Sequence, residues 1–250
     1  MTPAFAVPRV EIVADGDAFA TAAAQAVRAA ATEAVRARGV FRLALAGGTT
    51  PRRVHAALLG EGLSEDPGVT AWDVWFGDER CVPADHADSN FAMASETLLS
   101  HLGAQPTVHR VPTELGVPSV IAAHYEDELV RAFALAAGGV PVFDLVLLGL
   151  GADGHTASLF PGDPALDERR RLVVAVRGTK PPPDRVTFTL RVLNAARAVL
   201  FVVAGRDKAS ALRAVVGEGS HLPAARVRPA HGTVTFLSDE AAASRLAKGA

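Results

Sequence analysis

Asp153 and His155 stand two residues apart in Gly149-Leu150-Gly151-Ala152-Asp153-Gly154-His155, and their types suit proton transfer. A histidine can take a proton from water near neutral pH, and a carboxylate can orient it or its substrate. The glycines around them permit a tight turn in which both side chains reach one cleft. The turn follows residues 143–148, which are apolar except for Asp144 and too short for a typical helix, so they read as a buried strand. A buried strand ending in a glycine-rich turn that carries an acid and a histidine is where an open α/β protein places its chemistry. His155 is the candidate base. The plain alternative is a histidine that only ties down the loop.

Three further stretches could serve the same site. Gly47-Gly48-Thr49-Thr50 links a strand to a helix start, with Pro51 suited to the first helical turn. Unobstructed amides, two hydroxyls and a helix N-terminus make an anion site, although such glycines can also serve only the turn. Gly77-Asp78-Glu79-Arg80 follows another strand, and Asp78 and Arg80 could position a sugar hydroxyl and grip a phosphate. As a charge cluster alone it reads better as a solvated loop. Lys208, in the first turn after a third strand, and Arg185, after a triple proline, could approach a phosphate, though singly each carries little weight.

Other spellings lead nowhere. The loop at 47–51 lacks the Gly-Lys-Ser/Thr of a Walker A motif, and the G-x-G-x-x-G at 149–154 is not followed by room for a long helix, because Pro161-Gly162 intervenes. Cys81 has no histidine near it in sequence and reads as a small buried residue. Ser158 lacks the G-x-S-x-G elbow of a nucleophile. The remaining histidines show no HExxH spacing, and Asp85-His86-Ala87-Asp88 reads as polar loop, so no metal is expected.

These residues need elements to hold them. Strands are expected at 7–13, 40–46, 72–76, 143–148, 171–176, 185–190, 199–203 and 232–237. A turn at 15–17 could cap the alanine-rich helix at 18–38, which ends at Gly39. Helices are also expected at 52–59, 90–102, 119–138 and 206–216, with a short turn or helix at 193–196 and a helical tail. The alternation argues for an α/β fold: one domain over 1–250, with a mostly parallel central sheet and helices on both faces.

Composition fits that reading. Apolar residues make up 49% and charged residues 21% of the 250, enough for a substantial core. Alanine and valine dominate and aromatics are few, so a core of small aliphatic side chains is expected. The net charge of −2 gives no case for nucleic acid or an anionic membrane, so phosphate recognition must be local. A single cysteine allows no intrachain disulfide and no cysteine zinc cluster. Residues 1–17 lack the basic and long apolar regions of a signal peptide, and no run suits a membrane span. A cytoplasmic protein is expected.

Taken together, the motifs resemble the 6-phosphogluconolactonase family. LALAGGTTP at 43–51 looks like the family's first glycine-rich loop, and WFGDERCVPADHADSNF at 75–91 like its second signature. GLGADGHTASLFPG at 149–162 is the most diagnostic stretch. KPPPDRVTFTL at 180–190 and GRDKA at 205–209 follow in the expected order. The resemblance implies a fold related to glucosamine-6-phosphate deaminase and ribose-5-phosphate isomerase-like domains. It implies hydrolysis of 6-phospho-D-glucono-1,5-lactone without a cofactor. A monomer or weak homo-oligomer is expected. The resemblance makes His155 the general base and Asp153 its neighbour, with Gly47, Gly48, Thr49, Thr50, Asp78, Arg80, Arg185 and Lys208 holding the phosphate or the sugar. Backbone amides of the glycine turn, or a nearby cation, would stabilise the developing oxyanion. The confusable relative is the deaminase, which has Asp-Glu-Tyr where this chain has Asp78-Glu79-Arg80, and Asn-Glu-Pro after the histidine where this chain has Ser158-Leu159-Phe160-Pro161. A non-catalytic sugar-phosphate-binding module is the remaining alternative.

Overall fold

The structure is a computed structural model that describes residues 7–14, 16–217 and 219–246. In chain order the strands are β1 (Arg9–Val13), β2 (Phe41–Leu45), β3 (Trp72–Phe76), β4 (Asp78–Arg80), β5 (Thr107–His109), β6 (Leu145–Leu148), β7 (Val173–Arg177), β8 (Asp184–Phe188), β9 (Ala198–Val203) and β10 (Thr233–Asp239). Seven of them form a parallel sheet in the order β1-β10-β9-β6-β2-β3-β5. All four residues of β6 are buried, and side chains alternate across a strand, so both faces of the sheet centre are covered. Asp144, the polar residue of the apolar run, pins the start of β6 to β2. It accepts the Arg42 amide at 2.8 Å and the Arg38 Nε at 2.8 Å, and its own amide returns a bond to the Arg42 carbonyl.

The other three strands depart from expectation. β4, β8 and β7 form a separate antiparallel sheet, with Arg80 opposite Arg185. The cause is the short connection at 178–183. A parallel crossover needs about a dozen residues or more, so β7 and β8 can only close as a hairpin. β4 reads as loop in the sequence, because its three residues are all charged. β5 was not expected at all; it is three residues long and sits at the sheet edge.

The helices are α1 (Asp17–Arg38), α2 (Thr49–Gly60), α3 (Asn90–Thr97), α4 (Pro118–Ala132), α5 (Leu190–Leu193), α6 (Ala209–Val216) and α7 (Glu240–Ala243). α1 buries Phe19, Ala23, Val27, Ala31 and Ala34, a stripe at helical spacing whose small side chains permit close approach to the sheet. Gly16 is its N-cap, with no side-chain capping bond; Asp15 lies outside the described residues. α4 stops six residues before the expected end at 138, where Ala134 takes a positive φ of 49°. The expected helix at 90–102 divides into α3 and a 3-10 turn, Leu99–His101, and α5 starts three residues before its expected position.

Aromatics, though few, mark the join between the sheets. Tyr125 of α4 lies 5.7 Å from Trp75 of the parallel sheet and 5.8 Å from Phe188 of the small one. Its hydroxyl accepts the Phe76 amide at 2.9 Å. The core is therefore not purely small and aliphatic: a buried aromatic cluster of Trp75, Tyr125, Phe143 and Phe188 fastens the small sheet to the large one.

Candidate active site

After β2 the chain leads toward β3, and after β6 it leads the opposite way, toward β9. The C-terminal ends of β2 and β6 thus flank a topological switch point, where open α/β sheets bind ligands. An open cleft of about 220 Å³ lies there, lined by Gly47, Gly48, Thr49, Thr50, Asp78, Arg80, His155, Arg185 and Lys208 together with Asn90 and the ends of β6 and β9. Every candidate from the sequence except Asp153 lines this one cleft, and Asp153 stands directly behind His155.

The glycine turn after β6 builds the dyad. Asp153 Oδ1 accepts the His155 amide at 3.1 Å and meets His155 Nδ1 at 2.5 Å. The carboxylate accepts, so Nδ1 carries the proton and the Nε2 lone pair is left for the cleft. No described residue bonds Nε2. Burial alone would raise the Asp153 carboxyl, but the amide and ring of His155 outweigh it and hold the carboxyl below its usual range. Gly151 makes the arrangement possible: a Cβ there would lie 2.1 Å from His155 Nδ1 and 2.5 Å from Asp153 Oδ1.

The turn spends its own amides. Gly151 donates to the His155 carbonyl, Gly154 to the Gly151 carbonyl and Thr156 to the Leu159 carbonyl. With the His155 amide on Asp153, these four are committed within the loop, and the expectation that such amides would steady an oxyanion does not hold for them. Positive charge is nearer to hand. Arg80 and Arg185 face each other across β4 and β8, and each has a buried Nε with no partner. Arg80 spends Nη1 on the Asp88 carbonyl at 2.6 Å. Burial, and then the Arg80 charge, push the Arg185 guanidinium below its usual range. Two like charges held opposite each other repel, and an anion between them relieves that repulsion. Phe160 spaces this pair from the dyad, 5.0 Å from the His155 ring and 5.9 Å from the Arg185 guanidinium.

The opposite wall is the start of α2. Gly48 is the N-cap, and no side chain caps the helix, which leaves the first-turn amides for an anion. Lys208 precedes α6 and pairs with Asp207 at 3.1 Å. Its turn is anchored by Asp239 at the end of β10, which takes the Gly205 amide at 2.9 Å and caps α7 through Ala242.

The charge cluster at 77–80 is not a solvated loop. Glu79 is 1% exposed and accepts from the amides of Arg80, Asn90 and Phe91 and from the Ser89 hydroxyl. It ties β4 to the N-terminus of α3. Asp78 reaches the cleft with both oxygens engaged, Oδ2 by the Ser158 hydroxyl at 2.7 Å and Oδ1 by Asn90 Nδ2 at 3.3 Å. Ser158 is fully buried, which excludes it as a nucleophile. The Cys81 thiol is raised to about 11, by burial and then by Asp184 and Glu79, and stays protonated. His86 Nδ1 accepts the Asp88 amide, a bond within its own loop. Asn90 carries no chemical signal in the sequence, where it reads only as the first residue of the helix expected at 90–102; Ser89 caps that helix.

Known proteins resemble this chain in sequence and fold. The family described as glucosamine-6-phosphate isomerases/6-phosphogluconolactonase matches residues 14–236. A 6-phosphogluconolactonase of Synechocystis is 37% identical over 246 residues, covering 96% of this chain and 98% of that protein. The Homo sapiens 6-phosphogluconolactonase is 42% identical over 218 residues, covering 84% and 82%. The solved structure of the Trypanosoma cruzi 6-phosphogluconolactonase superposes with a TM-score of 0.87 at 29% identity, covering 98% of this chain and 99% of that one. The chain belongs to the glucosamine-6-phosphate isomerase/6-phosphogluconolactonase family.

Proposed function

We propose that the chain hydrolyses 6-phospho-D-glucono-1,5-lactone to 6-phospho-D-gluconate, the second step of the oxidative pentose phosphate pathway. The observation that carries this reading is a histidine with Nδ1 locked on a carboxylate and Nε2 free, in a cleft walled by two arginines, a lysine and an uncapped helix start. Nε2 of His155 takes a proton from water as the water attacks C1. The C1–ring-oxygen bond then breaks, and the imidazolium returns the proton to the departing oxygen. Asp153 positions the ring and steadies its charged form. The cationic wall of Arg80 and Arg185, with Lys208 and the amides of Thr49 and Thr50 across the cleft, holds the phosphate and the developing oxyanion. Because the phosphate is remote from C1, its binding energy serves to fix the ring before the attacked carbonyl. Asp78 holds that wall together through Ser158 and Asn90.

In this reading residues 1–250 act as one unit in the cytoplasm, as a monomer or weak homo-oligomer, without cofactor or metal. Among the described residues no helix is long and apolar enough to cross a membrane. The test is acid release from freshly made 6-phosphogluconolactone, with spontaneous hydrolysis subtracted. Wild-type turnover with a loss of at least ~100-fold in His155→Ala supports the reading. Turnover unchanged in the variant removes His155 from its role. Ammonia release from glucosamine 6-phosphate without lactone hydrolysis overturns the lactonase reading in favour of the deaminase.

A further inference from the structure

Asn90 lies in the 75–91 signature and lines the cleft, but the sequence assigns it no role. It is 2% exposed and is the first residue of α3. Its amide orientation is fixed: Nδ2 donates to the Asp78 carbonyl at 2.8 Å and faces Asp78 Oδ1 at 3.3 Å. Turned over, the group would set an acceptor against two acceptors. Oδ1 therefore points the other way, against Gly47, where a Cβ would lie only 1.8 Å from it. Both Asn90 and Gly47 line the cleft, and no described residue donates to Oδ1. Oδ1 is not sealed in the interior but opens to the cleft, where a bound ligand can supply its donor.

The donors a lactone of this class brings are its ring hydroxyls; its phosphate and carbonyl oxygens can only accept. We infer that Asn90 Oδ1 accepts a hydrogen bond from one ring hydroxyl of the bound sugar lactone, and that Asn90 thereby selects hydroxylated over deoxygenated sugar lactones. The glycine at 47 lets the acceptor stand flush with the phosphate loop, so one hydroxyl is read beside the anion site. This rests on the lactonase reading above.

The test is a coupling cycle. kcat/KM is measured for wild type and Asn90→Ala on 6-phosphogluconolactone and on its 2-, 3- and 4-deoxy counterparts. Losing the hydrogen bond to the hydroxyl, together with the Nδ2 bonds to Asp78, is expected to lower the variant by at least roughly 3- to 10-fold on the full lactone. One deoxy lactone is expected to lower the wild type by a similar factor and the variant no further. A variant that keeps the wild-type ranking of all four lactones overturns the assignment, since a purely structural role would lower them in parallel. Absence of wild-type turnover on every lactone overturns the proposed function instead, and the hydroxyl contact with it. A crystal structure of the wild type with 6-phosphogluconate gives an independent reading should the variant fail to fold. A sugar hydroxyl about 2.6–3.2 Å from Oδ1 is expected, and an Oδ1 with no ligand donor overturns the inference.

Discussion

His155 and His109 both touch carboxylates, yet their surroundings assign them opposite work. His155 has one carboxylate on Nδ1, at 2.5 Å, and its other nitrogen open to the cleft. His109 has Asp73 on Nε2 at 2.9 Å and Glu128 on Nδ1 at 2.6 Å, with its ring stacked 3.9 Å from Trp75. Both of its nitrogens are donors to acids, which is the geometry of an imidazolium held as a structural cation. It joins the edge strand β5 to β3 and α4. Burial would lower its pKa, but the two acids outweigh burial and raise it. His55 marks a third condition. Thr97 gives its hydroxyl proton to the Met93 carbonyl, so His55 Nδ1 must donate to Thr97, and Nε2 is left buried without a partner. Burial, with the Arg52 charge, lowers that histidine to about 4, so it stays neutral near pH 7. A histidine next to an acid becomes a base only where one nitrogen is left unbonded and reachable.

The contrast can be broken most severely at Gly151. Gly151→Ala places a methyl against both members of the dyad and is expected to cut kcat on the order of 100-fold through misplacement, with the far-UV spectrum retained. Asp153→Asn leaves the shape but weakens the hold on the Nδ1 proton. A loss in kcat of roughly 10- to 100-fold is expected, with KM little changed; unaltered kcat would separate Asp153 from the chemistry. His109→Gln should do the reverse. It leaves two acids facing a neutral group and is expected to cost about 1–3 kcal/mol in urea unfolding, while kcat stays within about two-fold. A collapse of kcat at intact stability would overturn the division between the two histidines.

The smallest effect is in pH. A folded pKa raised above the unfolded value means that the His109 contribution is complete below about 6.5, the ordinary histidine value, and is lost as pH rises through the folded pKa. The groups around it are Asp73, Glu128, Arg42 near Asp73, Arg110 beside Glu128, and the Tyr125 hydroxyl on its carbonyl. The stability gap between wild type and His109→Gln should therefore narrow from pH 5.5 to pH 9. A gap that widens would mean that the ring is neutral.

The same contrast explains what could be read from sequence. The dyad is legible because both members lie in one glycine turn, bonded two residues apart. The glycine loop before α2 and the strands that end beside it were visible for the same reason: their signal is local. His109 takes its meaning from Asp73 and Glu128, which other elements supply. Glu79 looked like solvated charge because nothing in its neighbourhood announces that the start of α3 folds back over it. Asn90 matters only once Gly47 and Asp78 have been brought to it. The small sheet was misassigned because strand content is local whereas strand partners are not.

That sheet also carries a consequence for assembly. Its arginine wall depends on β4 meeting β8, where Asp78 pairs with Thr187, far along the chain. The neighbouring β2–β3 pairing closes a much shorter loop. Closing long loops costs more chain entropy and slows folding. Enzymatic competence should therefore trail the helices and the β2–β3 pair on dilution from denaturant, together with the β2–β6 and β1–β10 pairings, which also join distant parts of the chain. An early state would hold helices and local strand pairs while its substrate cleft still lacks one wall.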